Sequence, residues 1–313
     1  MTEIGGYFGL EQSHGTHEYY SGLNAFNTAA NALICLCRAR HIRKLFLPYY
    51  LCDSVSAACG REHIPVSYYH INENMRPVIE RSPEEDEYLY LVNYYGQLTD
   101  QEILGYAERF GRIILDNVQA FFQRPIKGID TLYSCRKYFG VPDGAYLSSG
   151  ISVDGIATDD SDARLGHIIG RVRDSASAHY REFRANEALL RSLPPMLMSD
   201  RTHAMLTDID YDAVRQKREE NFAYLDAHLG KLNRLRLRCP EGPYAYPLYL
   251  ENGEEIRRKL IEKNIYVATL WPNVTDGPEA LTARSILPLP CDQRYDKENM
   301  QFIIKEVFDS VKN

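Results

Sequence analysis

The chain has 313 residues, of which 44% are hydrophobic and 25% are charged, and these proportions are ordinary for a globular protein with a sizeable core. This length predicts a large domain, which we place at residues 1–200, and a smaller domain at residues 201–313. The formal net charge of −7 argues against a surface that binds a phosphate backbone, so we expect no nucleic-acid partner. No apolar run approaches the roughly 20 residues of a membrane helix, and the N-terminus lacks the basic start and apolar stretch of a signal peptide. We therefore expect a cytoplasmic protein that does not bind a membrane.

The seven cysteines are odd in number, scattered along the chain and without a C-x-x-C pair. A disulfide framework is normally even and dense, and zinc or redox sites normally use closely spaced pairs. We therefore expect reduced thiols in the core. His14 and His17 are close in sequence but have no third ligand in view, so no metal site is expected.

Residues 26–150 alternate helical patterns with short apolar runs. Helices are predicted at 26–41, 54–62 and 99–110, the last opened by a capping box of Thr99 and Glu102. Strands are predicted at 44–50, 65–71, 88–95, 112–116 and 131–135. Such alternation, with strands apolar on both faces, is typical of a mostly parallel sheet covered by helices. The hydrophobic pattern in the last part of the chain predicts an α+β lobe, with strands at 245–250 and 265–270 and helices at 254–263 and 296–311.

Chemically distinctive side chains follow the predicted strands of this sheet. Ligands of parallel sheets bind beyond the C-terminal ends of the strands, so these side chains are expected to converge on one edge. They are Tyr49, Tyr50, Asn93, Asp116, Arg136 and Lys137. An acid, an amide, flat aromatic rings and a lysine suit a flat, nitrogen-containing, electron-withdrawing cofactor.

Four motifs occur in a recognisable order. They are Asp116-Asn-Val-Gln-Ala120, Tyr133-Ser-Cys-Arg-Lys-Tyr-Phe-Gly-Val-Pro-Asp-Gly-Ala145, the run 257–267 followed by Trp271-Pro, and Ser285-Ile-Leu-Pro-Leu-Pro290. This set resembles the fold-type-I pyridoxal-phosphate (PLP) enzymes of the DegT-type sugar aminotransferase family, over most of the chain. The resemblance implies an α/β PLP-transferase fold, with a mostly parallel seven-stranded sheet flanked by helices and a smaller C-terminal α+β domain. It also implies a homodimer whose active sites lie at the two-fold interface.

The resemblance implies catalytic roles for two residues. Lys137 would form an imine with the cofactor aldehyde and would then move the proton between the substrate carbon and the cofactor. Asp116 would pair with the pyridine nitrogen and keep it protonated, so that the ring acts as an electron sink. Gln119 would bind the cofactor through a hydrogen bond to the ring oxygen.

The remaining cofactor-binding residues are also implied by the resemblance. Thr28 and Ala29 open the first long helix, where backbone N–H groups and a hydroxyl can hold the phosphate. Thr131 lies where the family often places a phosphate-binding serine, and Arg136 would supply a cation or contact the phosphate. Either Tyr49 or Tyr50 would stack on the ring, and we favour Tyr50.

The resemblance predicts an aminotransferase that passes an amino group from an amino acid such as glutamate to a nucleotide-linked keto sugar, for polysaccharide biosynthesis. The chain departs from the family pattern in two places, since its N-terminal part is abbreviated and the family's Asn-x-Arg motif is missing after the Gly-rich turn. Two alternatives therefore stay open. One is a PLP enzyme of another reaction type, and the other is a non-catalytic relative that serves as a binding or assembly subunit.

Overall fold

The computed structural model describes residues 3–11 and 14–312. The first half of the chain forms β1 (Ile4–Gly5), β2 (Asn24–Phe26), α1 (Ala29–Ala39), β3 (Lys44–Pro48), α2 (Asp53–Arg61), β4 (Val66–Ile71), β5 (Pro77–Val78), β6 (Glu87–Val92), α3 (Asp100–Phe110), β7 (Ile113–Asp116), β8 (Asp130–Ser134) and β9 (Ala145–Ser148). The second half forms α4 (Gly166–Arg173), α5 (Tyr180–Ser192), α6 (Asp200–Thr207), α7 (Tyr211–Leu229), β10 (Tyr246–Tyr249), α8 (Gly253–Glu262), β11 (Ile265–Tyr266), α9 (Pro278–Ser285), β12 (Ile286–Leu289) and α10 (Lys297–Lys312).

The central sheet has eight strands in the order β2-β9-β8-β7-β6-β3-β4-β5. Neighbours among β8, β7, β6, β3 and β4 pair in parallel, whereas β9 and β5 run antiparallel to the strands beside them. The predicted α/β class with a mostly parallel sheet is thus confirmed. The strand beyond the expected seven is β5, an edge strand of two residues, which is too short to give a hydrophobic pattern.

Local sequence sets the boundaries of the elements around the sheet. Thr28 caps α1 by accepting a hydrogen bond from the backbone N–H of Asn31, so this helix begins three residues later than predicted and leaves Asn24–Phe26 to β2. The capping box of Thr99 and Glu102 at the start of α3 is confirmed. Strand β6 ends at Val92, because the chain turns at Tyr94–Gly96 with Tyr95 in the left-handed region at φ 52°.

A second hydrophobic core lies in the C-terminal part of the chain. It is built from the buried faces of α7, α8 and α10 and from the antiparallel pair β10–β12. Ile4 belongs to the same core, since β1 pairs in parallel with β11. The N-terminal segment is therefore attached to the C-terminal lobe. The domain boundary at residue 200 stays a prediction.

All seven cysteines are free thiols, and five of them are buried. Within residues 3–11 and 14–312, no helix is long and apolar enough to cross a membrane.

Candidate active site

Asp116 is the last residue of β7, and its carboxylate is buried at the C-terminal edge of the sheet. Oδ1 accepts a hydrogen bond from the backbone N–H of Val118 at 2.9 Å, and Oδ2 accepts one from the Tyr90 hydroxyl at 2.8 Å. Burial raises the pKa of Asp116, although these two hydrogen bonds and the positive charge of Lys137 act in the opposite direction. Each oxygen keeps a lone pair, so the carboxylate can accept a further donor.

Lys137 follows β8, the neighbour of β7 in the sheet, in a short 3-10 turn. Its Nζ lies 5.5 Å from the ring centre of Tyr244, within the range of a cation–π contact. Among the residues that the structure describes, no carboxylate lies within salt-bridge distance of this Nζ. The amine is therefore held by an aromatic face and is free to meet a ligand.

A cavity of about 660 Å³ opens beside Lys137. Its walls come from the N-terminal segment, the turn after β8, helices α4 and α5, and the C-terminal lobe. Aromatic rings make much of the lining, and Tyr7 stacks on Phe183 with ring centres 4.6 Å apart. A cavity of this size and lining suits an organic ligand with flat or apolar parts.

Arg136 lines this cavity and forms an ion pair with Glu187 of α5 at 2.6 Å. His167 of α4 lines it as well, and burial, with the charge of Arg136, lowers the pKa of this imidazole below 6.5. The ring is consequently neutral at pH 7. Neither His167 nor Glu187 belongs to a sequence motif, and only the packing of α4 and α5 brings them to the cavity that Lys137 lines.

Gln119 is buried close to Asp116 in the turn that follows β7. Its Oε1 accepts a hydrogen bond of 2.8 Å from the backbone N–H of Tyr95, while its Nε2 has no partner within the described residues. A buried donor without a partner costs free energy, which a bound acceptor would recover. Gln119 can therefore donate to an oxygen of a ligand.

The two candidate stacking residues have different environments. Tyr50 is fully buried, donates its hydroxyl to the Leu270 carbonyl at 2.5 Å and packs edge-on against Trp271. Tyr49 is 47% exposed and stacks on Tyr68 and His70 at the surface. Only Tyr50 faces the interior.

The predicted phosphate ligands lie at two places. Thr28 and Ala29 are half-buried at the N-terminus of α1, where the N–H groups of the first turn point outwards. Thr131 is fully buried within β8 and donates its hydroxyl to the Ile129 carbonyl at 3.0 Å. Ser134, three residues before Lys137, lines the cavity instead, and its position at the end of β8 is the signal that could have identified it.

The structure thus divides the predicted site residues into two groups. Arg136 and Lys137 line the cavity. The others do not line it in the part of the chain that the structure describes: Thr28, Ala29, Tyr50, Asp116, Gln119 and Thr131. The parallel pairing of β7 with β8 nevertheless places Asp116 and Lys137 at the same edge of the sheet, and the charge of Lys137 acts to lower the pKa of Asp116.

Comparison with solved structures finds the same architecture in aminotransferases. Spr1654 from Streptococcus pneumoniae, in a PLP form, has a TM-score of 0.65 and 13% identity, over 92% of this chain and 86% of that chain. PseC from Helicobacter pylori, an aminotransferase involved in the biosynthesis of pseudoaminic acid, has a TM-score of 0.62 and 12% identity, over 91% and 85% of the two chains. DesI, solved in the presence of its TDP-sugar product, has a TM-score of 0.60 and 14% identity, over 92% and 80%.

The chain has the fold of these proteins. The PLP-transferase fold that the sequence resemblance implied is therefore confirmed. No protein-family model matches the sequence, and no curated protein matches it.

Proposed function

We propose that this chain is a PLP-dependent aminotransferase that passes an amino group from an amino acid such as glutamate to a nucleotide-linked keto sugar. The observation that carries the proposal is the pair formed by the buried Asp116 and Lys137 at the C-terminal edge of the sheet. The fold shared with PseC and DesI supports the sugar substrate, because those proteins are connected with pseudoaminic acid and a TDP-sugar. A role in polysaccharide biosynthesis belongs to the same proposal.

The buried groups at this edge fit PLP. Asp116 is a buried carboxylate with lone pairs to spare, which suits a protonated pyridine nitrogen. Gln119 offers an unpartnered Nε2 to the ring oxygen, and the N–H groups at the start of α1 offer a site to the phosphate. PLP, when bound, supplies an aldehyde for the amine and a ring that withdraws electrons from the substrate carbon.

The side chains around the cavity have separate tasks in this proposal. Lys137 Nζ would hold the cofactor and would carry the proton to and from the substrate carbon. The Tyr244 face keeps the amine in place, and the Arg136–Glu187 pair fixes one cavity wall beside it. The aromatic walls of the cavity leave room for the acceptor beside the amine.

A direct test is the half-reaction with glutamate. The protein loaded with PLP is mixed with glutamate, and pyridoxamine phosphate and 2-oxoglutarate are quantified. We expect the two products in equal amounts. Formation of both products supports transamination, and the same assay with Lys137→Ala should give neither. A PLP enzyme of another reaction type would consume substrate without producing pyridoxamine phosphate.

A homodimer belongs to the proposal. The exposed, stacked rings of Tyr49 and Tyr68 offer apolar surface for such a contact. Light scattering at assay concentration should give twice the chain mass. A strictly monomeric mass in an active preparation would contradict an active site shared between two subunits.

One observation favours the non-catalytic alternative, in which the chain is a binding or assembly subunit. Asp116, Gln119 and Tyr50 lie outside the described lining of the cavity that holds Lys137. A folded protein that retains no PLP after dialysis, and gives no product with glutamate, would support this alternative.

A further inference from the structure

Arg218 of α7 is the largest side chain that is fully buried in the described chain. It forms no ion pair with a carboxylate within salt-bridge distance in that part of the chain. Its Nε donates to Gln293 Oε1 at 2.7 Å, its Nη1 donates to the Pro243 carbonyl at 2.9 Å, and its Nη2 donates to the Tyr138 carbonyl at 3.1 Å. The partners of this buried guanidinium are thus an amide oxygen, backbone carbonyls and the Tyr138 ring, whose centre lies 4.5 Å away.

The carbonyls that Arg218 binds belong to two segments near the proposed catalytic lysine, since Nη1 also lies 3.4 Å from the Tyr244 carbonyl. Tyr138 directly follows Lys137, and Tyr244 supplies the ring below Lys137 Nζ. The guanidinium therefore connects the backbone turn that carries Lys137 with the segment that carries the Tyr244 ring. The planar fork of an arginine can reach both segments at once.

Gln293 and Glu11 extend this connection to both ends of the chain. Gln293 Nε2 donates to the Tyr138 carbonyl at 2.8 Å and also to Glu11 Oε1. Glu11 Oε2 accepts a hydrogen bond of 3.1 Å from the backbone N–H of Gly140. Residues 138–140 are thus held by side chains from the N-terminal segment, from α7 and from the loop before α10.

We propose that Arg218 is a positioning residue for Lys137, which fixes the lysine turn and the Tyr244 ring relative to each other. This inference rests on the proposed function, because it assigns the positioned amine to the cofactor. If Arg218 has this role, its loss should slow the reaction of Lys137 with the PLP aldehyde and should leave the folding of the central sheet unchanged.

The test compares Arg218→Met with wild type in two measurements. Hydrogen exchange of the ligand-free proteins follows the peptide that contains residues 138–141. The second measurement mixes each protein with PLP, quenches with borohydride at set times and quantifies the pyridoxyl adduct on Lys137. We expect exchange in the 138–141 peptide to accelerate at least tenfold in Arg218→Met, and adduct formation to slow at least tenfold, while exchange in β6 and β7 stays within twofold.

Two further variants serve as controls. One tests whether the charge of Arg218 is sufficient, and the other tests whether loss of any arginine from α7 has the same effect. Arg218→Lys keeps the charge, but one ammonium group cannot hold both segments, so it should behave like Arg218→Met. Full rescue by lysine would overturn the positioning role in favour of a charge effect. Arg215→Met, on the exposed face of the same helix, removes an ion pair with Asp212 and should match wild type in both measurements.

The two measurements keep this inference separate from the proposed function. Unchanged exchange in the 138–141 peptide of folded Arg218→Met overturns the inference, whether or not PLP binds. If wild type forms no adduct, the proposed function fails, and so does the assignment of Arg218 to cofactor attachment. If Arg218→Met does not fold, Gln293→Met decides by the same readouts, and wild-type exchange and adduct formation in that variant would overturn the inference.

Discussion

The buried carboxylate of Asp116 and the ammonium group of Lys137 lie at the ends of neighbouring parallel strands, close enough for the lysine charge to oppose the effect of burial on the aspartate. Asp116 ends β7, and Lys137 comes three residues after β8. Two residues that are 21 positions apart in sequence are thereby brought to one edge by strand pairing alone. Burial of the ionised Asp116 carboxylate destabilises the folded protein when no cofactor is bound. This loss of stability follows from the proposed role of Asp116 in binding the pyridine nitrogen.

Asp116→Asn should therefore stabilise the ligand-free protein and weaken its function. Burial raises the pKa of Asp116 above its ordinary value of 3.8, so the ionised form destabilises the folded state at neutral pH. At pH 7 the variant should unfold roughly 2–4 °C above wild type. Well below pH 3.8 the wild-type carboxyl is protonated in both the folded and the unfolded state, and the difference should vanish. Thermal unfolding across this pH range measures both effects.

The same variant should lose transamination by about two orders of magnitude, because an amide does not keep the pyridine nitrogen protonated. Glutamate half-reaction rates in wild type and Asp116→Asn give this comparison. Full activity in the variant would remove Asp116 from the mechanism, and lower stability at pH 7 would contradict the cost assigned to its burial.

A second prediction concerns the contact between the N-terminal segment and the lysine turn. A Cβ at Gly140 would lie 1.8 Å from the backbone carbonyl oxygen of Gly9, so Gly140→Ala must separate the two segments. We expect a loss of about 1–3 kcal/mol in the free energy of unfolding, together with slower PLP attachment.

The matched control is Gly60→Ala in α2, where nothing lies within 4 Å of the added methyl group. This variant should gain about 0.5–1 kcal/mol from the lower entropy of its unfolded state. Urea denaturation of both proteins compares the two glycines. Equal stability of the two variants would show that the Gly9–Gly140 contact is loose.

The third prediction is a pH dependence of stability from His203 and Glu18. His203 Nδ1 lies 2.7 Å from Glu18 Oε1, and this hydrogen bond raises the pKa of His203 above 6.5 although partial burial opposes it. A raised histidine pKa gives stabilisation that is complete below about pH 6.5 and is lost as the pH rises through the folded-state pKa.

His203→Gln should thus lower the free energy of unfolding most at pH 6 and progressively less towards pH 8. Glu18→Gln removes the partner and should flatten the same dependence. Urea unfolding of the three proteins at several pH values provides the measurement. A stability difference that is constant with pH would exclude the ion pair as its source.

Much of the fold follows from patterns that act over short distances. The four apolar strands predicted between Lys44 and Asp116 lie within three residues of their predicted bounds, and the capping box at Thr99 is present, because hydrophobic period and caps are local properties. The meeting of Asp116 with Lys137 was predictable for the same reason, since parallel strands place their C-terminal ends together. The functional roles of these residues stay predictions.

Other features depend on contacts between distant segments and leave no local signal. The family resemblance implied Thr131 as a phosphate ligand. In the structure its hydroxyl donates to the Ile129 carbonyl, and Ser134 lines the cavity. Arg218 belongs to none of the recognised sequence motifs, and only the tertiary fold buries it. The N-terminal segment is shorter than the family pattern predicts. It nevertheless forms a cavity wall, because β1 pairs with β11.

In the proposed function Lys137 is the residue that would hold the cofactor. The most direct measurement is borohydride reduction of the protein after incubation with PLP, followed by mass mapping of its peptides. We predict one reduced pyridoxyl adduct, on Lys137, with Lys127 and the other lysines unmodified at equimolar PLP. An adduct on a different lysine, or none in a protein that circular dichroism shows to be folded, would contradict the assignment of Lys137.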